Sequence, residues 1–187
     1  MKIQVGVSNR HVHLKKEHLK ILFGNKELKE IKKLNQPGQF VSDFFVDLIT
    51  NKNEIKHVRI IGPVREYTQV EISKTDAYFL GVDPPIRTSG DIKNSCPIII
   101  KGPNGILKLE EGLIIADRHI HITPDQVKFY HLENKNKVDV LINGEKGGII
   151  SNVNLKVADN SYLELHLDTD DANAHFLKQG DIVEIIM

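Results

Sequence analysis

The chain has 187 residues, 40% of them hydrophobic, enough to supply a core for one sizeable domain or two small ones. Lysine plus arginine equals aspartate plus glutamate at 25 each, so no global field draws in nucleic acid or an anionic membrane. A single cysteine, Cys96, excludes an internal disulfide framework and any Cys-x-x-Cys zinc or redox motif, leaving histidine and carboxylate to hold any metal.

In chain order, the opening "MKIQVGV" alternates like a strand and lacks the apolar core of a signal peptide, and no later run approaches a membrane span. "VGVSNRHVHL" (Val5 to Leu14) comes next. Behind it, "KKEHLKILFG" (Lys15 to Gly24) has helical patterning, with Lys15 where a capping hydroxyl would stand and Gly24 as a stop. "FFVDLIT", "KHVRIIG" and "TQVEIS" read as strands. The stretch "IIGPVREYTQVEISKTDAYFLGVDPPIRTSGD" is dense in polar groups and holds Arg65 in a loop after a Gly-Pro break. A guanidinium there can grip phosphate or carboxylate, or simply form a surface ion pair. Its tail, "GVDPPIRTSGD", reads as a rigid, turn-rich connection whose consecutive prolines need no function.

"PIIIKG" and "GILKLEEGLIIA" flank the turn "KGPNG" and lead to "ADRHIHI" (Ala116 to Ile122). "TPDQVKFYHL" (Thr123 to Leu132) then carries a helix start: Thr123 as cap, Pro124 at the first helical position and Gln126 completing a capping box. "KVDVLIN", "GIISNVNLKV", "SYLELHL" and "DIVEIIM" close the chain as strands, with "NGEKGG" as a hairpin turn. Short strands separated by turn signals predict a mainly β protein, with the spacing of barrels or sandwiches and no sign of parallel βαβ units.

Arg-His-x-His-aliphatic is thus written twice, at Arg10–Leu14 and Arg118–Ile122, each copy preceded by an aliphatic strand and followed by a short helix. This predicts an internal duplication, a tandem pair of β-barrels with no linker between them. Strand residues two apart point the same way, so His11 with His13, and His119 with His121, can each aim two imidazoles at one metal. A helix would splay them. Arg10 and Arg118 fall on the opposite face and suit packing or a domain-interface ion pair. By the same alternation Tyr162, Glu164 and His166 share one face, as do Gln69, Glu71 and Ser73; each of these groups is either a source of further ligands or a solvated strand face. No phosphate loop, Gly-x-Gly-x-x-Gly or Gly-x-Ser-x-Gly element occurs.

Taken together and in register, "VGVSNRHVHL", "LNQPGQF", "GPVREYTQVEISKTDA", "GVDPPIRTSGD", "IIADRHIHITPDQ" and "LELHLDTDDANA" resemble the phosphate propanoyltransferase family, phosphotransacylases of propanediol utilisation, over nearly the whole chain. The resemblance implies a reversible conversion of acyl-CoA and phosphate to acyl phosphate and coenzyme A at a two-zinc site between two interleaved β-barrels capped by short helices. One barrel would take residues 1–9 and 118–187, the other residues 10–117. Carried over by position, His11, His13 and Glu71 would hold one zinc ion, and His119, His121 and His166 the second. Arg65 would handle phosphate; Ser8, Arg59 and Asn173 would lie near coenzyme A. A homodimer is implied as well.

Lys15 departs from the family's small polar residue, which weakens a helix cap without touching ligands. Some members carry an N-terminal extension directing them to bacterial microcompartments; here the domain begins almost at Met1, so a freely cytoplasmic enzyme is expected, with encapsulation by another route still open. Two rival readings share the histidines: a two-metal hydrolase, and a non-catalytic cupin-like metal-binding β protein in which Glu17 follows His13 as a ligand. The cupin-like reading leaves the second pair unexplained, and Glu17 better suits a solvated helix face. Acyl-chain length is not encoded in any motif.

Overall fold

A computed structural model describes residues 1–186. Strand β1 (Lys2–Ser8) leads into β2 (His11–His13) and helix α1 (Lys16–Phe23). Strands β3 (Glu30–Lys33), β4 (Phe40–Ile49), β5 (Glu54–Gly62) and β6 (Gln69–Glu71) follow, then α2 (Lys74–Leu80), β7 (Ile86–Arg87), β8 (Cys96–Lys101) and β9 (Ile106–Ala116). The remainder is β10 (His119–Ile122), α3 (Pro124–Phe129), β11 (Lys137–Ile142), β12 (Gly148–Val157), β13 (Glu164–Asp168), α4 (Thr169–Ala174) and β14 (Ile182–Ile186).

The expected mainly β fold is present as two closed six-stranded barrels with short helices. Two compact units result: unit 1 is Met1–Ser8 with Asp117–Met187, and unit 2 is Asn9–Ala116. In unit 1 the barrel runs β1-β13-β10-β12-β11-β14 and closes on itself. In unit 2 the order is β4-β5-β2-β6-β9, with β8 closing the circuit by pairing β9 and β4, while β3 and β7 flank it.

Strand for strand the two circuits correspond. A parallel, an antiparallel and a second parallel pairing run through β5-β2-β6-β9 and again through β12-β10-β13-β1. The sequence showed no βαβ units, and none forms among the described residues; the parallel neighbours are strands separated along the chain by intervening strands of the barrel, and in unit 1 the strand β1 is in addition contributed from a distant part of the chain. Even an irregularity is duplicated. Asp47 Oδ1 accepts the backbone N–H of His57 at 3.0 Å, and Asp139 Oδ1 that of Asn152 at 3.1 Å, each donor having φ near 61° at a bulge between paired strands.

Strand alternation builds the cores. Ile3, Val5, Ile120, Ile122, Leu165 and Leu167 point into unit 1 and are at most 3% exposed. Val12, Leu14, Val46, Leu48, Ile60 and Val70 do the same in unit 2. Each such side chain contributes about 1.5–3 kcal/mol relative to exposure.

Both helices anticipated behind the histidine pairs form. In α3 the Thr123–Gln126 capping box is made in both directions, whereas α1 starts on Lys15 with no side-chain cap and stops at Gly24. Helices α2 and α4 did not show in the sequence pattern, being only seven and six residues long. They are nucleated by their caps: Ser73 forms a capping box with Asp76, and the Asp168 side chain accepts the N–H of Asp171.

Candidate metal centres

Each histidine pair lies on a short strand flanked on both sides, so two side chains on one face are held in fixed register. The register supplies the third partner. His11 stands directly across the antiparallel β2–β6 pair from Glu71, and His119 directly across β10–β13 from His166. Consequently His11, His13 and Glu71 form one cluster in unit 2, and His119, His121 and His166 another in unit 1, with the ligand-capable atoms of each set within 4.8 Å of one another.

The donor separations suit a single ion. His119 Nε2 and His121 Nε2 are 3.2 Å apart, and His11 Nε2 lies 3.5 Å from Glu71 Oε2. Two ligands on one tetrahedral zinc at about 2.0–2.1 Å are separated by ~3.3 Å. Ring orientation agrees: the Nδ1 atoms of His11, His13 and His119 sit 2.8, 3.2 and 2.8 Å from the backbone carbonyls of Asn9, Ile61 and Asp117, which leaves Nε2 for a metal. Burial pushes the His121 imidazole down to about 2, helped by His166, His119 and Lys156, so it is neutral and ready to ligate at pH 7.

Around Glu71 the polar contacts are dense. Its Oε1 accepts from Gln69 Nε2 at 2.5 Å and from Ser89 Oγ at 2.8 Å, leaving Oε2 toward His11. Gly90 N donates to Gln69 Oε1 at 2.7 Å. Gly90 has φ 107°, and a Cβ there would come within 3.1 Å of the Tyr67 hydroxyl, so only glycine lets the loop approach this closely. The "RTSGD" end of this connection, through Ser89 and Gly90, therefore buttresses the Glu71 carboxylate.

Arg10 and Arg118 form ion pairs within their own units; neither pair joins the domains. Arg10 holds Asp76 with two contacts, Nε to Oδ2 at 2.8 Å and Nη2 to Oδ1 at 2.6 Å, and this carboxylate raises the guanidinium pKa. Arg118 Nη1 lies 3.7 Å from Asp171 Oδ1. Both carboxylates stand in the first turn of the helix that follows the third member of each set. Glu71, Ser73 and Asp76 thus recur as His166, Asp168 and Asp171 with identical spacing, which extends the duplication beyond the histidines. That second signal, Glu/His-x-Ser/Asp-x-x-Asp, is visible in the sequence once the register is known.

A model of the phosphate propanoyltransferase family matches residues 4–178. The chain belongs to that family. It is similar to the phosphate propanoyltransferase of Thermotoga maritima, 49% identical over 186 residues that cover 98% of this chain and 89% of that relative. The phosphate propanoyltransferases of Rhodopseudomonas palustris and Citrobacter koseri are 42% and 44% identical, covering 98% and 92% of this chain and 81% and 82% of their own lengths. Membership in the phosphate propanoyltransferase family makes the chain a transferase.

The remaining expected positions fall as follows in this phosphate propanoyltransferase family member. Arg65 belongs to unit 2; its backbone N–H donates to Leu14 O at 2.9 Å, one residue beyond His13, and its Nη1 donates to the Tyr67 hydroxyl at 3.4 Å. Ser8 pairs in register with Asp168, the cap of α4, and Asn173 lies exposed on that helix, so these two share unit 1. Arg59 lies in unit 2, its guanidinium 4.1 Å over the Phe45 ring and donating to Ser42 O at 2.8 Å. Glu17 is exposed on α1, as a solvated helix face requires. No helix among the described residues is long and apolar enough to cross a membrane.

Proposed function

We propose that the protein is a phosphate acyltransferase interconverting a short-chain acyl-CoA plus phosphate with acyl phosphate plus coenzyme A, and that each unit holds one zinc or similar divalent ion. The duplicated three-ligand set carries this reading, because it occurs in a chain that a phosphate propanoyltransferase model matches over residues 4–178. His11, His13 and Glu71 would hold one ion; His119, His121 and His166 would hold the other. Bound divalent cations supply positive charge where the thioester oxygen and the departing sulfur become negative.

The chain's own residues account for the rest. Arg65, tied to the backbone next to His13, presents a planar donor fork that suits phosphate and orients it against electrostatic repulsion. No side chain is needed as a covalent acyl carrier. Ser8 and Asn173 in unit 1, with Arg59 in unit 2, are the proposed contacts to coenzyme A. Of these, Arg59 has the least freedom, since Phe45 and Ser42 already position its guanidinium.

The test follows free thiol from acetyl-CoA and propanoyl-CoA with and without phosphate, with metal analysis on the same preparation. Phosphate-dependent release with two ions per chain is expected. Release indifferent to phosphate would show a hydrolase instead. Arg65→Ala should lower turnover by about 10²–10³-fold with both ions retained. Near-normal activity at full metal content would remove Arg65 from the mechanism.

A further inference from the structure

Glu164 is the most buried carboxylate among the described residues, 3% exposed, and no motif assigned it a role. An ionised carboxylate at that depth costs several kcal/mol unless it is paired. Its Oε2 lies 2.8 Å from His166 Nε2, and Gln179 Nε2 lies 3.5 Å from its Oε1. Space for the pair comes from β1. Gly6 stands opposite His166, and a Cβ there would fall 2.9 Å from Glu164 Cδ and 3.0 Å from His166 Cδ2.

Unit 2 has a counterpart. Gln69 precedes Glu71 by two residues, as Glu164 precedes His166, and donates its amide N–H to that carboxylate. Donor and acceptor are exchanged between the units: an acidic ligand is steadied by an amide, an imidazole by a carboxylate. His11, His13 and His119 spend Nδ1 on backbone carbonyls and keep Nε2 for a metal. His166 spends Nε2 on Glu164, which leaves Nδ1.

We infer that Glu164 is the positioning residue of the three-histidine set: it accepts the His166 Nε2–H, fixes that tautomer and turns Nδ1 toward the ion. This rests on the metal reading above. Carboxylates in this relation to a ligating histidine typically contribute 10–100-fold to metal affinity.

Two measurements on zinc-loaded full-length protein test it. Long-range proton–nitrogen NMR of the wild type should show the His166 proton on Nε2 and the metal on Nδ1; zinc on Nε2, with or without Glu164 drawn onto the ion, overturns the inference. In chelator competition Glu164→Met should weaken one of two ions 10–100-fold and leave the other unchanged, while Glu164→Gln, which keeps an acceptor, restores most of the loss. Wild-type affinity for both ions in Glu164→Met also overturns it. A wild type holding fewer than two ions fails the metal reading itself, a result separable from both. Should Glu164→Met not fold, the wild-type NMR result decides.

Discussion

Unit 2 faces its first histidine with a carboxylate, unit 1 with an imidazole, and the residue two positions earlier is an amide in one case and a carboxylate in the other. Each set together with that neighbour carries one acidic group, but the acid is a proposed ligand in unit 2 and the proposed supporting residue in unit 1. A divalent ion among three neutral imidazoles keeps its full double charge for whatever binds next. Beside Glu71 half of it is already neutralised. The same scaffold, strand pair, cap and arginine included, would therefore give two proposed centres of different electrostatic pull.

The comparison can be broken most severely by removing one third ligand at a time. Glu71→Ala and His166→Ala should each lower bound metal from two ions to one per chain, measured by elemental analysis after dialysis; loss of both ions from either variant would show that the sets are not independent. A smaller contrast lies in the arginines. Asp76 is 7% exposed and held by two short contacts, whereas Asp171 is 33% exposed at 3.7 Å. Arg10→Met should cost the metal-free protein about 2 kcal/mol by leaving a buried carboxylate without its cation and with only the Ser73 N–H of the capping box. Arg118→Met should cost at most ~1 kcal/mol, in line with partly exposed pairs. Urea midpoints compare them, and equal losses would contradict the structural asymmetry. The smallest effects concern the helices behind the pairs. Thr123→Ala removes a cap at a cost of about 1 kcal/mol, and Lys15→Ser, supplying the cap α1 lacks, should gain about 0.5–1 kcal/mol. Lys15→Ser without a gain would mean that the cap position is already satisfied.

The histidine pairs were legible because a strand's period of two makes His-x-His a chelating unit without any tertiary information. Glu71 and His166 were not legible from spacing alone: they lie 60 and 47 residues from the histidines they face (71 minus 11; 166 minus 119), and only strand register brings them opposite. Resemblance supplied them instead. Alternation did place Glu164 on the His166 face and Gln69 on the Glu71 face, yet whether those faces met water or a ligand depended on barrel closure. Ser89 was missed for a related reason, since turn-rich loops look alike until something is seen to rest on them. Helices α2 and α4 escaped because one turn or two of helix carries too little periodicity, even though Ser73–Asp76 and Asp168–Asp171 are cap signals.

Strand β1 belongs to the unit whose other strands begin at His119, pairing with β13 and β14 near the far end of the chain. On a ribosome, the "IQVGV" of β1 is made long before β13 and β14, the strands it pairs with. At about 5–20 residues per second, roughly 9–36 s pass between the making of β1 and of β14. Unit 2, Asn9–Ala116, is a continuous stretch that can close in the meantime. For that interval the nascent chain carries a strand whose partners do not yet exist, an unpaired edge of the kind that invites misassembly between neighbouring chains.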